Sequence, residues 1–236
     1  MARKQPEQQA PPVQKLRLRY AKRGRARFTS SRDFSRAFER ALRRAAVPMA
    51  FSSGFSPHPR ISYANAAPTG AETEAEYCEI GLADRRDPAA VLAALQAAMP
   101  PGLDILEVVE ASPGSLADRL QGSQWTIHLD GVAAVAEAAV EAFLAADEIL
   151  VERMTKNGVR TFDARGAVRR LTVVPAEPTT FDLLLEHRVP LVRPDDVVRA
   201  LGVVFEAFTP SAPPRLVRLS QGPLAGDTLG DPLAAS

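Results

Sequence analysis

The sequence predicts an α+β protein built from two ferredoxin-like (βαββαβ) halves with antiparallel sheets, the second half with an extra hairpin. Two observations lead to this prediction. Residues 15–112 contain alternating and helix-periodic segments in the order β-α-β-β-α-β, and residues 113–220 repeat that order around an additional pair of strands. Residues 1–14 and 221–236 lack hydrophobic periodicity, and we expect them to be disordered tails.

The first predicted strand has two faces of different chemistry. Basic and apolar residues alternate over residues 15–20. Because successive side chains of a strand point to opposite faces, one face would pack on a core and the other would carry Lys15, Arg17 and Arg19.

The helix that follows is predicted to be basic on its outer side. Ser30 and Asp33 form a capping box at its start, and apolar residues from Phe34 to Ala45 recur at helical spacing. The basic residues on the other side are Arg32, Arg36, Arg40 and Arg43.

The remaining elements follow from turn signals and periodicity. A loop rich in Gly and Pro spans residues 51–60, and Asn157-Gly158 is the strongest hairpin signal in the chain. The other predicted strands are 61–64, 77–82, 103–109, 125–129, 168–174, 181–185 and 216–219, and the other predicted helices begin at Asp87, Val132 and Pro194.

The formal net charge of +1 conceals a strong asymmetry. Residues 15–44 contain twelve basic and two acidic residues, a net charge of +10; residues 1–14 add one positive charge, so the remainder carries −10. Such a basic region attracts polyanions such as RNA. The alternative is a solvated face that the acidic remainder neutralises on folding.

We therefore expect basic residues of the first strand, the following turn, the helix and the end of the loop over residues 51–60 to contact RNA phosphates. They are Lys15, Arg17, Arg19, Lys22, Arg23, Arg25, Arg27, Arg32, Arg36, Arg40 and Arg60. A second basic surface, or an ordinary exposed hairpin, is formed by Arg153, Lys156, Arg160 and Arg165. Aromatic residues are sparse near these basic side chains. The sequence therefore favours recognition of RNA shape or phosphate over readout of the nucleotide sequence.

The loop over residues 51–60 is a candidate site, with Gly54, Phe55, Ser56 and His58 as its central residues. His58 lies between two prolines and could act as a general acid or base, or cap a phosphate, because imidazole exchanges a proton near neutral pH. The alternative is a stiff turn with a hydrogen-bonded ring. The loop does not match a phosphate-binding P-loop, so nucleotide hydrolysis is not supported.

Composition excludes several classes of protein. Cys78 is the only cysteine, so a disulfide within the chain, a thiolate zinc site and a three-cysteine iron–sulfur site are excluded, and we expect no metal and no cofactor. The chain has no run of about 18 apolar residues and no signal-like N-terminus. We expect a cytoplasmic protein that does not bind membranes.

Four segments resemble the radical-SAM-associated domain family of unknown function. They are residues 15–20 (KLRLRY), 27–33 (RFTSSRD), 53–62 (SGFSPHPRIS) and 75–77 (AEY), with a looser likeness at Arg153, Lys156, Gly158, Arg160 and Asp163. The resemblance implies association with radical SAM enzymes. For free-standing actinobacterial-type members, it implies gene neighbourhoods that contain an RNA-processing ribonuclease.

One position departs from that family's pattern. The helix start of the family usually reads Thr-Ser-His-Arg-Asp, and Ser31 stands here at the histidine position. A site that pairs this histidine with His58 therefore cannot exist in this chain.

The leading interpretation is an RNA-binding accessory protein of RNA processing or radical-SAM-type modification machinery. An RNA-cleaving or RNA-modifying enzyme that uses His58 is one alternative, although the sequence contains no complete catalytic motif. A protein-interaction module that docks on a radical SAM enzyme or a ribonuclease is the other.

Overall fold

A computed structural model describes residues 8–155 and 158–235 of the chain. The chain divides into two units. The first contains the described residues up to Asp118 together with residues 233–235, and the second is Arg119–Pro232. The division falls within a one-turn helix, α3 (Leu116–Arg119), slightly beyond the boundary expected after residue 112.

The elements of the first unit follow the predicted order. They are β1 (Gln14–Lys22), α1 (Ser31–Arg44), β2 (Ile61–Ala64), β3 (Glu72–Leu82), α2 (Pro88–Ala98) and β4 (Leu103–Glu110), with a 3-10 turn at Gly24–Phe28 after β1. The strands lie in the order β4-β1-β3-β2, and all neighbours are antiparallel.

The core of the first unit lies between its sheet and its helices. Leu16 and Leu18 of β1 are fully buried, as the alternation predicts, and they belong to the same cluster as Phe34, Phe38 and Leu42 of α1. Burying each such side chain contributes about 1.5–3 kcal/mol. The packing fixes which side of α1 faces outward.

The second unit contains a sheet and a separate hairpin. Its elements are β5 (Gly122–Leu129), α4 (Ala136–Ala145), β6 (Leu150–Thr155), β7 (Gly158–Asp163), β8 (Val168–Val174), β9 (Thr179–Glu186), α5 (Pro194–Val204) and β10 (Arg215–Gly222). Strands β10-β5-β9-β8 form an antiparallel sheet, and β6 pairs with β7. Lys156 and Asn157, where the hairpin turn was predicted, lie outside the described residues.

The described terminal segments are more ordered than the sequence predicts. Gln14 belongs to β1 and is buried, and the Val13 N–H donates to Leu82 O. At the other end, β11 (Leu224–Ala225) pairs with β12 (Thr228–Leu229), and Leu233 is 5% exposed. The segment expected to be a disordered tail from residue 221 therefore contains strand residues and a buried leucine. The sequence pattern could not predict this, because strands of two residues show no detectable periodicity.

Among the described residues, no helix is both long and apolar enough to span a membrane.

Candidate nucleic-acid interface

The outer face of β1 does not present free basic groups. Arg17 is 1% exposed, and its guanidinium donates to Glu79 Oε2 at 3.1 Å, to Ser112 Oγ at 2.9 Å and to the Gly114 carbonyl. Lys15 is exposed but also pairs with Glu79, at 2.9 Å. The expectation that Arg17 contacts RNA is therefore corrected, because residues 112–114 cover it and Glu79 neutralises it.

The basic side chains that follow Arg17 also form ion pairs with acidic residues of β3 and β4. Lys22 is buried 3.8 Å from Glu76, and Arg23 bridges Glu74 at 2.6 Å and Asp104 at 2.9 Å. Its hydrogen bond with Glu74, more than any other contact, raises the pKa of Arg23 above its usual value. The remaining pairs are Arg19–Glu107 at 3.3 Å and Arg27–Glu72 at 3.4 Å. At β1 and the turn, folding thus neutralises most of the positive charge.

Helix α1 keeps its basic side free. The Ser30 side chain caps its start by accepting from the Asp33 N–H at 3.1 Å, as predicted. Its exposed side carries the arginine stripe, which we define as Arg32, Arg36, Arg40 and Arg43. Within the described residues, none of these four side chains forms an ion pair or a hydrogen bond. Residues at this spacing share one side of a helix, so the stripe is a line of four arginines without ion pairs, and Glu39 lies among them on the same side.

Two further arginines that the sequence predicted as RNA contacts are exposed in connecting segments of the first unit. Arg25 lies in the 3-10 turn and has no ion pair in the described part of the chain. Arg60 is exposed, and its Nε donates to the Phe51 carbonyl at 3.0 Å, so it also closes the base of the loop.

The loop over residues 51–60 is closed at its base by hydrogen bonds. The Ser52 N–H donates to the His58 carbonyl at 2.8 Å, and the His58 N–H donates to Ser52 Oγ at 3.0 Å. Gly54 has a φ of +132°, which favours glycine over other residues. Phe55 and Phe51 are 72% and 42% exposed. The loop therefore holds two aromatic rings in solvent, close in sequence to Ser56 and His58.

One groove joins this loop to α1. Its volume is about 280 Å³, and it is lined by Glu39, Leu42, Arg43, Val47, Met49, Phe51, Pro57, His58 and Pro59. The structure thus brings His58 and the last arginine of the stripe to one groove, which we call the α1–loop groove. Sequence reasoning missed Glu39 and Phe51 as site residues. The usable signals were the position of Glu39 one turn before Arg43 and of Phe51 at the start of the loop.

Glu39 ends a short chain of hydroxyl groups. The Tyr63 hydroxyl donates to Ser35 Oγ at 3.2 Å, and the Ser35 hydroxyl donates to Glu39 Oε1 at 3.3 Å. Burial raises the pKa of Tyr63 to about 12, so this phenol stays a neutral donor. Ser31, which stands where the histidine was expected, is the exposed first residue of α1.

Two of the four basic residues predicted at the hairpin of the second unit make contacts inside the protein. Arg153 pairs with the buried Asp196 and lies 4.7 Å from the centre of the Phe162 ring. Arg165 donates to the carbonyls of Val168 and Leu144. The other two predicted residues differ, because Arg160 is exposed with no ion pair in the described segments and Lys156 lies outside them.

The described residues contain no cluster of three or more His, Cys, Asp or Glu side chains that could hold a metal ion. Burial raises the pKa of the Cys78 thiol well above its usual value. His128 Nδ1 lies 2.9 Å from Thr180 Oγ1, and both ring nitrogens of His187 have hydrogen-bond partners. The two histidines thus make hydrogen bonds inside the protein, and the Cys78 thiol is buried.

Several solved structures are similar to the chain. A chain of a Cbf5-Nop10-Gar1 complex is 11% identical with a TM-score of 0.48; the match covers 92% of this chain, which spans 55% of that one. An unknown protein from Galdieria sulphuraria is 18% identical (TM-score 0.25, 87% and 98% covered). The first two RRM domains of the yeast poly(U)-binding protein Pub1 are 11% identical (TM-score 0.24, 86% and 98% covered).

A family model identifies the family of the chain, although no curated protein matches the chain itself. Residues 15–194 match the family described as "Uncharacterized protein conserved in bacteria (DUF2344)", and this match includes α1, the loop and the groove between them. The chain therefore belongs to this family of uncharacterised bacterial proteins.

Proposed function

We propose that this protein is an RNA-binding accessory protein that holds a single strand with the arginine stripe and the loop over residues 51–60. The observation that carries the proposal is one groove lined both by Arg43, the last of the unpaired arginines of the stripe, and by the exposed ring of Phe51. Guanidinium groups bind phosphates, and aromatic rings stack on unpaired bases. Single-stranded RNA offers both groups along one chain.

The electrostatics of α1 support an anionic ligand. Arg32, Arg36 and Arg40 repel one another at a spacing of four residues, and Asp33 and Glu39 offset part of this repulsion. A phosphate between neighbouring arginines would relieve the repulsion. From Arg32 to Arg43 the stripe is about 16 Å long at the rise of an α-helix, enough to follow several consecutive phosphates.

Both units would present the same scaffold. We propose that each is a ferredoxin-like half, which is supported by the equivalent strand orders β4-β1-β3-β2 and β10-β5-β9-β8. In the second unit the β6–β7 hairpin interrupts this plan between α4 and β8. The partner machinery, RNA processing or radical-SAM-type modification, rests on the sequence resemblance alone.

The test is binding of a fluorescein-labelled single-stranded RNA by anisotropy, with two double variants of equal charge change. Arg36→Glu with Arg40→Glu alters the stripe, and Arg86→Glu with Arg215→Glu alters exposed arginines elsewhere. We expect the stripe variant to lose about tenfold or more in affinity at moderate salt and the control to change little. Equal losses would reject the stripe as the site, and no binding by the wild type would favour a protein-docking module.

A catalytic role is a second candidate because His58 and Glu39 line the same groove. An imidazole and a carboxylate at one site can act as acid and base on an RNA ribose. The candidate predicts multiple-turnover RNA cleavage or modification that His58→Ala abolishes, and an unchanged rate in this variant would remove it.

A further inference from the structure

The geometry points to base selectivity within the proposed RNA site. We propose that the α1–loop groove takes one unstacked guanine of the bound strand and that Glu39 is the residue that recognises it. This inference rests on the proposed function and deepens it, because the arginine stripe alone would hold any sequence.

The size and lining of the groove fit a single flat ring system. Its volume of about 280 Å³ is just below the usual range for ligand pockets, which is about 300–1,000 Å³. Leu42, Val47 and Met49 make one part of the lining apolar, and Phe51 adds an aromatic ring that is 42% exposed. A base that leaves the stack of a single strand can bury its faces on such a surface.

Glu39 brings a negative charge into a strongly basic surrounding. It lies between Arg36, Arg40 and Arg43 on α1, yet no ion pair joins it to an arginine in the part of the chain that the structure describes. Its one hydrogen bond in the same residues comes from the Ser35 hydroxyl, on Oε1 at 3.3 Å. The carboxylate therefore keeps acceptor capacity for a ligand in the groove.

The chemistry of the carboxylate selects among the four bases. Guanine has two neighbouring N–H donors on its Watson–Crick edge, at N1 and N2, which match the two oxygens of a carboxylate. Adenine and cytosine place one amino group beside a ring nitrogen acceptor, which repels the second oxygen. Uracil places one N–H between two carbonyls. A charge-assisted pair of hydrogen bonds is thus open to guanine alone.

The strand would continue from the groove onto the stripe. Arg43 lines the groove and is also the last member of the stripe. A nucleotide whose base enters the groove would leave its phosphate beside this guanidinium, with preceding or following phosphates along Arg40 and Arg36. The occupant is therefore a guanine within a strand, rather than a free nucleobase.

The experiment compares uridine oligonucleotides that differ at one central position, by competition anisotropy on the full chain. We expect the strand with a central guanosine to bind about tenfold more tightly than all-uridine RNA, the discrimination of one bidentate contact. A central inosine, which lacks the 2-amino group, should lose most of this advantage. Glu39→Gln should abolish the guanosine preference.

Glu141→Gln, an exposed glutamate on α4 of the second unit, is the matched control and should keep the preference. Equal binding of all central bases by the wild type would overturn the guanine site while the RNA-binding proposal stands. A preference that survives Glu39→Gln would also overturn it. If the wild type binds none of the oligonucleotides, the proposed function itself fails.

Discussion

Arg17 is held inside the first unit by contacts with distant parts of the chain. Its guanidinium donates to Glu79, Ser112 and Gly114, and its side chain is 1% exposed. We expect Arg17→Met to lower the free energy of unfolding by about 3 kcal/mol, because one Glu79 oxygen, Ser112 Oγ and the Gly114 carbonyl lose their donor, while Lys15 still pairs with Glu79. Chemical denaturation measures this change.

Arg19→Met is the matched control for that substitution. Arg19 lies two residues further along β1 and pairs with Glu107 at a partly exposed position. Its loss should cost less than about 1 kcal/mol. Similar small changes in both variants would contradict the structural role of Arg17, and so would a selective loss of RNA affinity in a stably folded Arg17→Met protein.

His187 makes the stability of the second unit depend on pH. Its ring nitrogens lie 2.7 Å from the Leu120 carbonyl and 2.9 Å from Ser123 Oγ. Burial, the largest cause, lowers the pKa of His187 below the ordinary value of 6.5. Near and below that pH the unfolded chain therefore binds a proton more readily than the folded one, and stability falls as the pH falls.

The prediction is a loss of stability on acidification through the ordinary range of histidine, with no effect of this residue above it. Denaturation curves at about pH 7.5 and about pH 5.5 check the sign. The loss should be smaller in His187→Gln, which cannot take up the proton. The same acid-induced loss in both proteins would contradict the assignment to His187.

At the scale of elements, α1 separates stability from the proposed binding. Arg36 lies one turn from Arg32 and Arg40, and also one turn from Asp33 and Glu39. Because its like-charge and opposite-charge neighbours are equal in number, reversing its charge has opposing effects on the helix. We expect Arg36→Glu to change the free energy of unfolding by less than about 0.5 kcal/mol and to weaken RNA binding. Thermal unfolding and anisotropy on the same sample check both expectations.

Arg36→Gln removes the charge without reversing it. Its stability should equal that of the wild type within the same limit of about 0.5 kcal/mol, and its loss of RNA affinity should be smaller than that of Arg36→Glu. A variant that loses both stability and affinity would indicate that Arg36 makes a structural contact, and it would contradict the account of α1 as a free basic side.

The elements that sequence patterns predicted correctly are those whose signal is local. The alternation in β1 and the spacing of Phe34 and Phe38 in α1 both reflect burial on one side of a single element. The same patterns could not show that Arg17 is covered, because its partners Glu79 and Ser112 lie far along the chain. The spacing of apolar residues in a sequence shows on which face of an element a residue lies. The topology of the fold decides which other residues cover that face.

The candidate site was predictable only in pieces for the same reason. The stripe and the loop are separate local signals, and the groove appears only when the fold places His58 beside α1. The only signal for Glu39 was its position one turn before Arg43, and one acid among arginines is also typical of a solvated helix.

At the scale of the whole molecule, folding redistributes the charge asymmetry of the sequence. Part of the net charge of +10 over residues 15–44 is matched at β1 and the following turn by acids of β3 and β4. What remains uncompensated is concentrated on α1. The protein can therefore carry a formal net charge of only +1 and still concentrate positive charge on one side of α1, where we propose that RNA binds.

Salt dependence reports how many phosphates this site neutralises. For single strands each neutralised phosphate contributes about −0.7 to the slope of log K against log salt concentration, so the stripe predicts a slope of about −3. The Arg36→Glu, Arg40→Glu variant should show about half of it or less. A slope near zero for the wild type would mean that phosphates do not hold the ligand.

The most direct test of the central claim, that α1 and the loop rather than β1 contact RNA, is photo-crosslinking with 4-thiouridine-containing RNA. Mass spectrometry then identifies the crosslinked peptides. We predict crosslinks within residues 32–60, above all at Phe51, Phe55 and the arginine stripe. Crosslinks confined to β1 or to the β6–β7 hairpin, with residues 32–60 unmodified, would contradict the account.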